Sequence, residues 1–243
     1  MSLFQKKSRR SEDESWISVS DLMAGLMMVF LFIAVIYAKD ADQRAQNVSE
    51  IVTEWQDSEL EIYEALEREF SEDLERWQAS IQKETLTIRF ASPEILFARG
   101  SDEITPEFAL ILDDFIPRYI KLLHSRFEDQ IKEVRIEGHT SSEWLRESTE
   151  TEAFIGNMEL SQRRTRSVLQ HALAVEGLDS DSEIPWMRAT VSANGLSSAR
   201  IILRDGIEDR EKSRRVEFTI RTKTKEALFK ILERISPAIE RQI

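Results

Sequence analysis

Residues 16–38 read WISVSDLMAGLMMVFLFIAVIYA, and this apolar run decides the architecture of the chain. A helix over this range is roughly 34 Å long, enough to cross a hydrocarbon core of about 30 Å with slight tilt. Asp21 is its only charged residue, and Lys39 and Asp40 follow it directly. The run therefore predicts one membrane-spanning helix near the N-terminus.

A cleavable signal peptide is the alternative interpretation of this segment, because it follows basic residues. The apolar run from Leu22 to Ala38 is longer than the usual signal-peptide core, and no small-x-small cleavage site ends it. Both observations favour a retained anchor. Basic residues are denser before the helix than after it, so the positive-inside rule places residues 1–15 in the cytoplasm and residues 40–243 outside it.

The composition argues against several classes of function. Against 33 Lys and Arg stand 45 Asp and Glu, a net charge of −12, whereas nucleic-acid binding needs an excess of clustered cations. The chain has no cysteine, which excludes thiol catalysis and thiolate metal sites. No pair among His124, His139 and His171 has metal-ligand spacing, so we predict no metal site and expect His139 to be a turn residue. Without a recognisable catalytic motif, we predict neither an enzyme nor a cofactor.

Asp21 needs an explanation, because a carboxylate near the bilayer centre costs on the order of 2.5–3.5 kcal/mol. Leu, Ile, Val and Phe dominate the rest of the segment and offset this cost, but they do not require an acid. Helical spacing places Ala24 and Gly25 on the same face, where a partner helix can approach closely. Two interpretations stay open: Asp21 caps the helix start with Ser18 or Ser20, or it binds and releases a proton.

Residues 39–83 are predicted to form a helical neck outside the membrane. Neither Gly nor Pro occurs between Gly25 and Pro93, and apolar residues recur mostly three or four positions apart. This period predicts an amphipathic helix or helices from about Ala41 to Lys83. The neck either packs on its own C-terminal domain or pairs in parallel with a second copy. Its apolar positions are Val48, Val52, Trp55, Ile62, Leu66, Phe70, Leu74, Trp77 and Ile81.

The spacing of the apolar residues changes beyond Lys83, from the three- or four-residue spacing of a helix to the alternation of a strand. The order β-α-β-α-β-β over residues 84–222 predicts an α+β two-layer sandwich with helices on one face of a mixed sheet. Thr105-Pro106-Glu107 signals the start of its first helix. Strands are expected at 85–90, 132–137, 189–193 and 215–221, an extended piece at 95–98, and helices at 106–127 and 157–175, with a terminal helix at 225–242 in the final segment 223–243.

The membrane segment combines Trp16, Asp21-Leu22-Met23 and the run Met27-Met28-Val29-Phe30-Leu31. In this combination it resembles the single transmembrane helix of flagellar stator B subunits (MotB). The aspartate of that family carries the ion, so the resemblance assigns this role to Asp21. It also implies a homodimer inside a ring of a multi-pass, MotA-like membrane partner.

A second set of motifs lies in residues 84–222. They are Phe97, Ile136-Glu137-Gly138-His139-Thr140, Asn157-x-x-Leu160-Ser161-x-x-Arg164 with Val168, Gly195, and Arg214-Arg215-Val216-Glu217-Phe218. In this combination they resemble the OmpA-type peptidoglycan-binding domain. The resemblance implies that Arg164 binds the diaminopimelate carboxylate of the stem peptide, as a planar guanidinium suits a carboxylate. The peptidoglycan-binding residues implied are Thr140, Asn157, Leu160, Arg164 and Arg215.

One position departs from this pattern. Ser141 stands where the family has an aspartate that pairs with the ligand's ammonium group. That ammonium loses its partner unless Glu143 or another acid in residues 142–156 substitutes. Structural roles also stay open, since Arg164 could form a salt bridge and Arg215 could pair with a buried acid. Asn157 could cap the second helix and Leu160 could pack in the core.

Together these features predict an ion-driven stator B subunit of the bacterial inner membrane, anchored to peptidoglycan. The short chain, the charged neck without Gly or Pro and the long loop after Thr140 look more like B subunits of Zorya anti-phage defence systems than flagellar ones. That resemblance implies a proton-motive-force-driven motor with a ZorA-type partner. The alternatives are a flagellar-type stator subunit and a static peptidoglycan tether without ion transport.

Overall fold

The computed structural model describes residues 4–145 and 147–223. The chain folds as two units, Met1–Glu54 and Trp55–Ile243. The helix expected at 225–242 lies outside the described residues.

The first unit is helical over its described residues. Helix α1 runs from Phe4 to Phe70, and its Val19–Gln46 stretch is long and apolar enough to cross a membrane, with a mean hydropathy of 2.4. Large apolar side chains along it, such as Leu22 and Phe30, are more than half exposed, at 74% and 62%. An apolar surface of this extent needs lipid or protein to cover it. The predicted membrane span 16–38 is helical throughout.

The predicted neck helix does not continue to Lys83. Helix α1 ends at Phe70, and Ala79–Gln82 forms strand β1, which pairs antiparallel with β2, Thr87–Phe90. The helical prediction is wrong beyond Phe70 because the domain core, rather than a helix, takes up the later apolar residues. Trp77 is buried there in a turn. Gln78 then adopts a φ of 48°, which a continuing right-handed helix does not allow.

Five strands form a mixed sheet in the order β1-β2-β7-β3-β4. The remaining strands are β3, Ile131–His139; β4, Val191–Gly195; β5, Leu203–Arg204; β6, Ile207–Glu208; and β7, Arg215–Thr222. Strand β7 pairs antiparallel with β2 and β3, whereas β3 and β4 are parallel. Strands β5 and β6 form a separate hairpin. The mixed sheet confirms the predicted fold class.

Local capping sequences set the helix boundaries. Helix α3 begins after Thr105, whose side chain accepts a hydrogen bond from the Phe108 N–H, and its bounds agree with the prediction. Helix α4 begins well before the predicted Asn157, because Thr149 and Glu152 form a capping box. Of the extended piece expected at 95–98, Ile95 and Leu96 end a short helix, whereas Phe97 forms an isolated antiparallel β-bridge with Ile104. Helices after α1 are α2, Pro93–Leu96; α3, Pro106–Phe127; α4, Glu150–Ala174; α5, Glu183–Thr190; and α6, Arg210–Ser213.

The end of α1 belongs to the core of the second unit. Ile62, Leu66 and Phe70 are fully buried, and the Phe70 ring lies 5.3 Å from the ring of Phe115 in α3. Of the two packings that the sequence leaves open, this part of the neck adopts the one on its own domain.

Arg118 of α3 holds the C-terminal end of α1 in place through hydrogen bonds. Its Nε donates to Glu69 Oε1 at 2.7 Å, its Nη2 to the Glu69 carbonyl at 2.6 Å and its Nη1 to Asp73 Oδ2 at 2.8 Å. The guanidinium also lies 5.0 Å from the centre of the Phe70 ring. One side chain therefore satisfies a carbonyl near the helix C-terminus and fixes the turn that follows.

Phe70→Ala is expected to lower the free energy of unfolding of the second unit by about 3–5 kcal/mol, because it opens a cavity in the core. Leu110→Ala is the control, since Leu110 of α3 is 71% exposed; its effect should stay within about 0.5 kcal/mol. Urea unfolding of the full chain in detergent, followed by tryptophan fluorescence, measures both. Equally small effects would contradict the packing of the α1 end in the core.

Candidate functional site

A cavity of about 600 Å³ opens where β3 and α4 meet. Thr140, Asn157, Leu160 and Arg164, all predicted from the sequence, line it. The structure adds Phe97, Trp144 and Arg214, among others, to its wall. Arg215 does not line this cavity but lies behind it, in contact with a smaller one of about 10 Å³.

Helix α4 presents three of these side chains at spacings of three and four, which places them on one face. Leu160 is 6% exposed and Asn157 is 2% exposed. Because α4 begins at Glu150, Asn157 lies inside the helix and does not cap it. Its Nδ2 instead donates to the Glu143 carbonyl at 3.2 Å, which holds Glu143 against the helix.

Arg164 is held in place by backbone carbonyls and an aromatic ring. Its Nε donates to the Ser101 carbonyl at 2.8 Å, and its guanidinium lies 4.8 Å from the centre of the Phe97 ring. Burial, and then repulsion from Arg214, lowers the pKa of Arg164 to about 10, so it stays protonated at neutral pH. Within residues 4–145 and 147–223, no carboxylate forms an ion pair with it.

The loop after β3 forms the opposite wall of the cavity. The Trp144 ring lies directly on Gly156, where an added Cβ would come within 2.4 Å of the ring. Only glycine therefore allows this packing. The Thr140 N–H donates to the Ser197 carbonyl at 2.9 Å, but its Oγ1 is buried without a partner in the described part of the chain.

Arg215 belongs to a buried ion-pair network behind the cavity. It is 5% exposed, and its Nε donates to Glu217 Oε1 at 2.7 Å; Arg89 Nε donates to the same oxygen at 2.6 Å. Burial raises the pKa of Glu217, but the His139 ring and the Arg215 guanidinium outweigh burial and hold this pKa well below its usual range. Glu217 is therefore ionised. This is the structural role that the sequence leaves open for Arg215.

His139 is the last residue of β3 and fully buried, not a residue of the turn as predicted. Its burial lowers its pKa, so the ring is neutral at pH 7. Ligand atoms of Glu137, His139 and Glu217 lie within 4.8 Å of one another, which is close enough to hold a metal ion. Arg89 and Arg215 bind Glu217, however, and Arg200 lies 3.5 Å from Glu137. These cations oppose a divalent ion, so the cluster fits an ion-pair network better than a metal centre.

Comparison with known proteins identifies the family of this chain. Residues 96–215 match the OmpA family. The Zorya protein ZorB of Escherichia coli is 43% identical over 230 residues, which cover 94% of this chain and 97% of that protein. The chain belongs to the ZorB family. Among solved structures, a MotB-like protein of Desulfovibrio vulgaris has 23% identity and a TM-score of 0.50, and covers 70% of this chain and 94% of its own. This likeness shows a shared fold.

The sequence motifs predict a peptidoglycan-binding role for Arg215 and none for Arg214, but Arg214 is the one that lines the cavity of this ZorB-family chain. Side chains alternate between the two faces of a strand, and Val216 and Phe218 point to the core. Arg214 lies two positions before Val216, so its side chain points to the same face, on the side of α4. Arg215 and Glu217 point to the other face. This alternation was the signal that could have identified Arg214. For Trp144, the signal was a large aromatic residue within a polar loop.

Glu217→Gln is expected to destabilise the ZorB-family domain by about 3–5 kcal/mol at pH 7, because it leaves Arg215 buried without a counter-charge. The control is Glu159→Gln on the surface, where Glu159 is 72% exposed and pairs with Arg163 at 2.6 Å; its effect should stay below about 1 kcal/mol. Urea unfolding measures both.

The effect of Glu217→Gln also depends on pH. A depressed pKa in the folded state stabilises the protein above the unfolded pKa of about 4.3, and this stabilisation is lost as pH falls further. The difference in the free energy of unfolding between wild type and Glu217→Gln should therefore become smaller below about pH 4.3. A difference that does not change with pH would contradict an ionised Glu217.

Proposed function

We propose that this chain is the B subunit of an ion-driven inner-membrane motor that acts in Zorya anti-phage defence and is anchored to peptidoglycan. The observation that carries the proposal is the alignment with a Zorya protein ZorB over 94% of the chain. This alignment includes both the apolar helix and the α+β domain. A flagellar stator subunit has weaker support, because the MotB-like likeness concerns the fold alone.

Asp21 is the ion-carrying residue in this proposal. It is the only charged residue of the apolar run 16–38 and lies on its exposed surface. A partner helix that packs there would enclose the carboxylate, and intramembrane acids in such positions mark ion paths. The N-terminus faces the cytoplasm and the domain faces the periplasm. Two copies lie within a ring of a multi-pass, ZorA-type partner.

The cavity is the peptidoglycan site in this proposal. Arg164 offers a protonated guanidinium that is fixed by Ser101 and Phe97 and has no carboxylate partner among the described residues. Thr140, Asn157 and Leu160 shape the surface around it. Arg215 supports the cavity from behind through Glu217. The lining groups suit binding rather than acid–base chemistry, in keeping with a structural subunit rather than an enzyme.

Asp21→Asn is expected to abolish phage protection in cells that carry the complete defence system, because an amide cannot carry the ion. Asp40→Asn is the control: Asp40 follows the apolar run and pairs with Arg44 on the exposed helix surface. Plating efficiency of phage measures protection, and immunoblots of membrane fractions verify equal amounts of protein. Full protection by Asp21→Asn would exclude ion transport through this residue and favour a static tether.

Arg164→Ala is expected to reduce the retention of the full chain on purified peptidoglycan at least about tenfold, since charge-assisted hydrogen bonds are lost. Arg163→Ala serves as the control, because Arg163 pairs with Glu159 on the surface and does not line the cavity. A sedimentation assay with detergent-solubilised protein measures retention. Equal retention of both variants would remove Arg164 from the site.

A further inference from the structure

The charges that line the cavity are unequal. Arg99, Arg164 and Arg214 face it, whereas Glu143 is the one acid among its described lining residues. The Glu143 carboxylate lies 3.5 Å from Arg99 and 3.9 Å from Arg210, and its side chain is 38% exposed. A ligand ammonium group would thus meet a carboxylate that is already shared between two arginines. A ligand carboxylate would meet Arg164 and Arg214, neither of which forms an ion pair within the described part of the chain.

Two hydrogen-bond donors at the cavity are buried and have no partner in the described part of the chain. They are the Arg214 Nε and the Thr140 hydroxyl, and Thr140 is only 3% exposed. Buried donors without acceptors are rare in folded proteins and call for an explanation. A ligand that brings acceptor oxygens would satisfy both.

Arg164 is prepared for the same ligand. Its Nε and one Nη2 proton are used by the carbonyls of Ser101 and Ala98, at 2.8 Å and 3.4 Å. The guanidinium is therefore fixed before a ligand arrives. Among the described residues, no group accepts a hydrogen bond from its Nη1, which can therefore donate to a ligand. Arg214 lies near enough to repel Arg164. Two like charges held together in a partly buried site favour an anion between them.

The ammonium group of a zwitterionic ligand has no comparably prearranged partner among the described residues. Ser141 lines the cavity and is 3% exposed, and it offers a hydroxyl rather than a carboxylate. A hydroxyl has no charge to offset the desolvation of an ammonium group.

We infer that the cavity binds a ligand carboxylate between Arg164 and Arg214, with the Thr140 hydroxyl as a third donor, and that the ligand's ammonium group contributes little. The inference rests on the proposed wall binding and narrows its ligand to stem peptides with a free carboxylate. Arg214 thereby becomes a specificity-determining residue: a stem peptide with a blocked amine binds, and one with an amidated carboxylate does not.

Isothermal titration of the full chain in detergent tests this inference with three synthetic muropeptides. One has an unmodified diaminopimelate residue, one is amidated at its side-chain carboxylate, and one is acetylated at its side-chain amine. Amidation is expected to weaken binding at least about tenfold, whereas acetylation should change it less than about threefold.

Arg214→Gln should weaken binding of the unmodified muropeptide about tenfold and leave binding of the amidated one unchanged. Arg214→Lys keeps the charge and should retain part of the affinity, which separates a binding role from misfolding. Arg163→Gln is the control, because Arg163 pairs with Glu159 on the surface and does not line the cavity, and it should bind like wild type.

Two outcomes would overturn the inference alone: acetylation that weakens binding as much as amidation does, or Arg214→Gln that binds the unmodified muropeptide like wild type. A wild-type chain that binds neither muropeptides nor whole peptidoglycan would contradict the proposed wall anchoring itself.

Discussion

The carboxylate of Glu217 lies where three neighbouring strands meet, and the end of the sheet depends on it. Arg89 of β2 and Arg215 of β7 bind it, and His139 Nε2 of β3 lies 3.2 Å away. Burying the Glu217 carboxylate or the Arg215 guanidinium alone would be costly, but their opposite charges offset this cost. The strand ends that form the back of the cavity are thus fixed by one side chain.

The two proposed activities use acidic and basic groups in opposite ways. In the apolar helix, Asp21 is the only charged residue of the run 16–38, and in the proposed motor it carries the ion. In the cavity, Arg164 keeps its charge at neutral pH, and loops rather than acids hold it in place. The proposed role of Asp21 requires an acid that binds and releases an ion, whereas the proposed role of Arg164 requires a fixed positive charge. The net charge of −12 reflects neither, because most acids lie elsewhere on the surface.

Local signals made part of the structure predictable. The apolar run needed no tertiary information, and Thr105-Pro106 defined the start of α3 because capping is a short-range effect. The end of α1 was not predictable from periodicity, since Leu74, Trp77 and Ile81 keep helical spacing while they pack as turn and strand. At the site, the motif containing Asn157 and Arg164 identified one wall, because residues on one helix face have fixed spacing. The opposite wall, with Trp144, depends on a close contact with Gly156 that spacing does not encode.

Arg118 has a mechanical consequence for the proposed anchoring of the domain to the cell wall. Its hydrogen bonds to the Glu69 side chain, the Glu69 carbonyl and Asp73 converge on one rigid guanidinium. Tension along the last turns of α1 would strain these bonds simultaneously, so they would have to rupture together rather than in succession. Resistance to pulling is governed by the rate of rupture and not by equilibrium stability. A joint of this kind can therefore withstand brief, strong loads even where its contribution to the free energy of folding is modest.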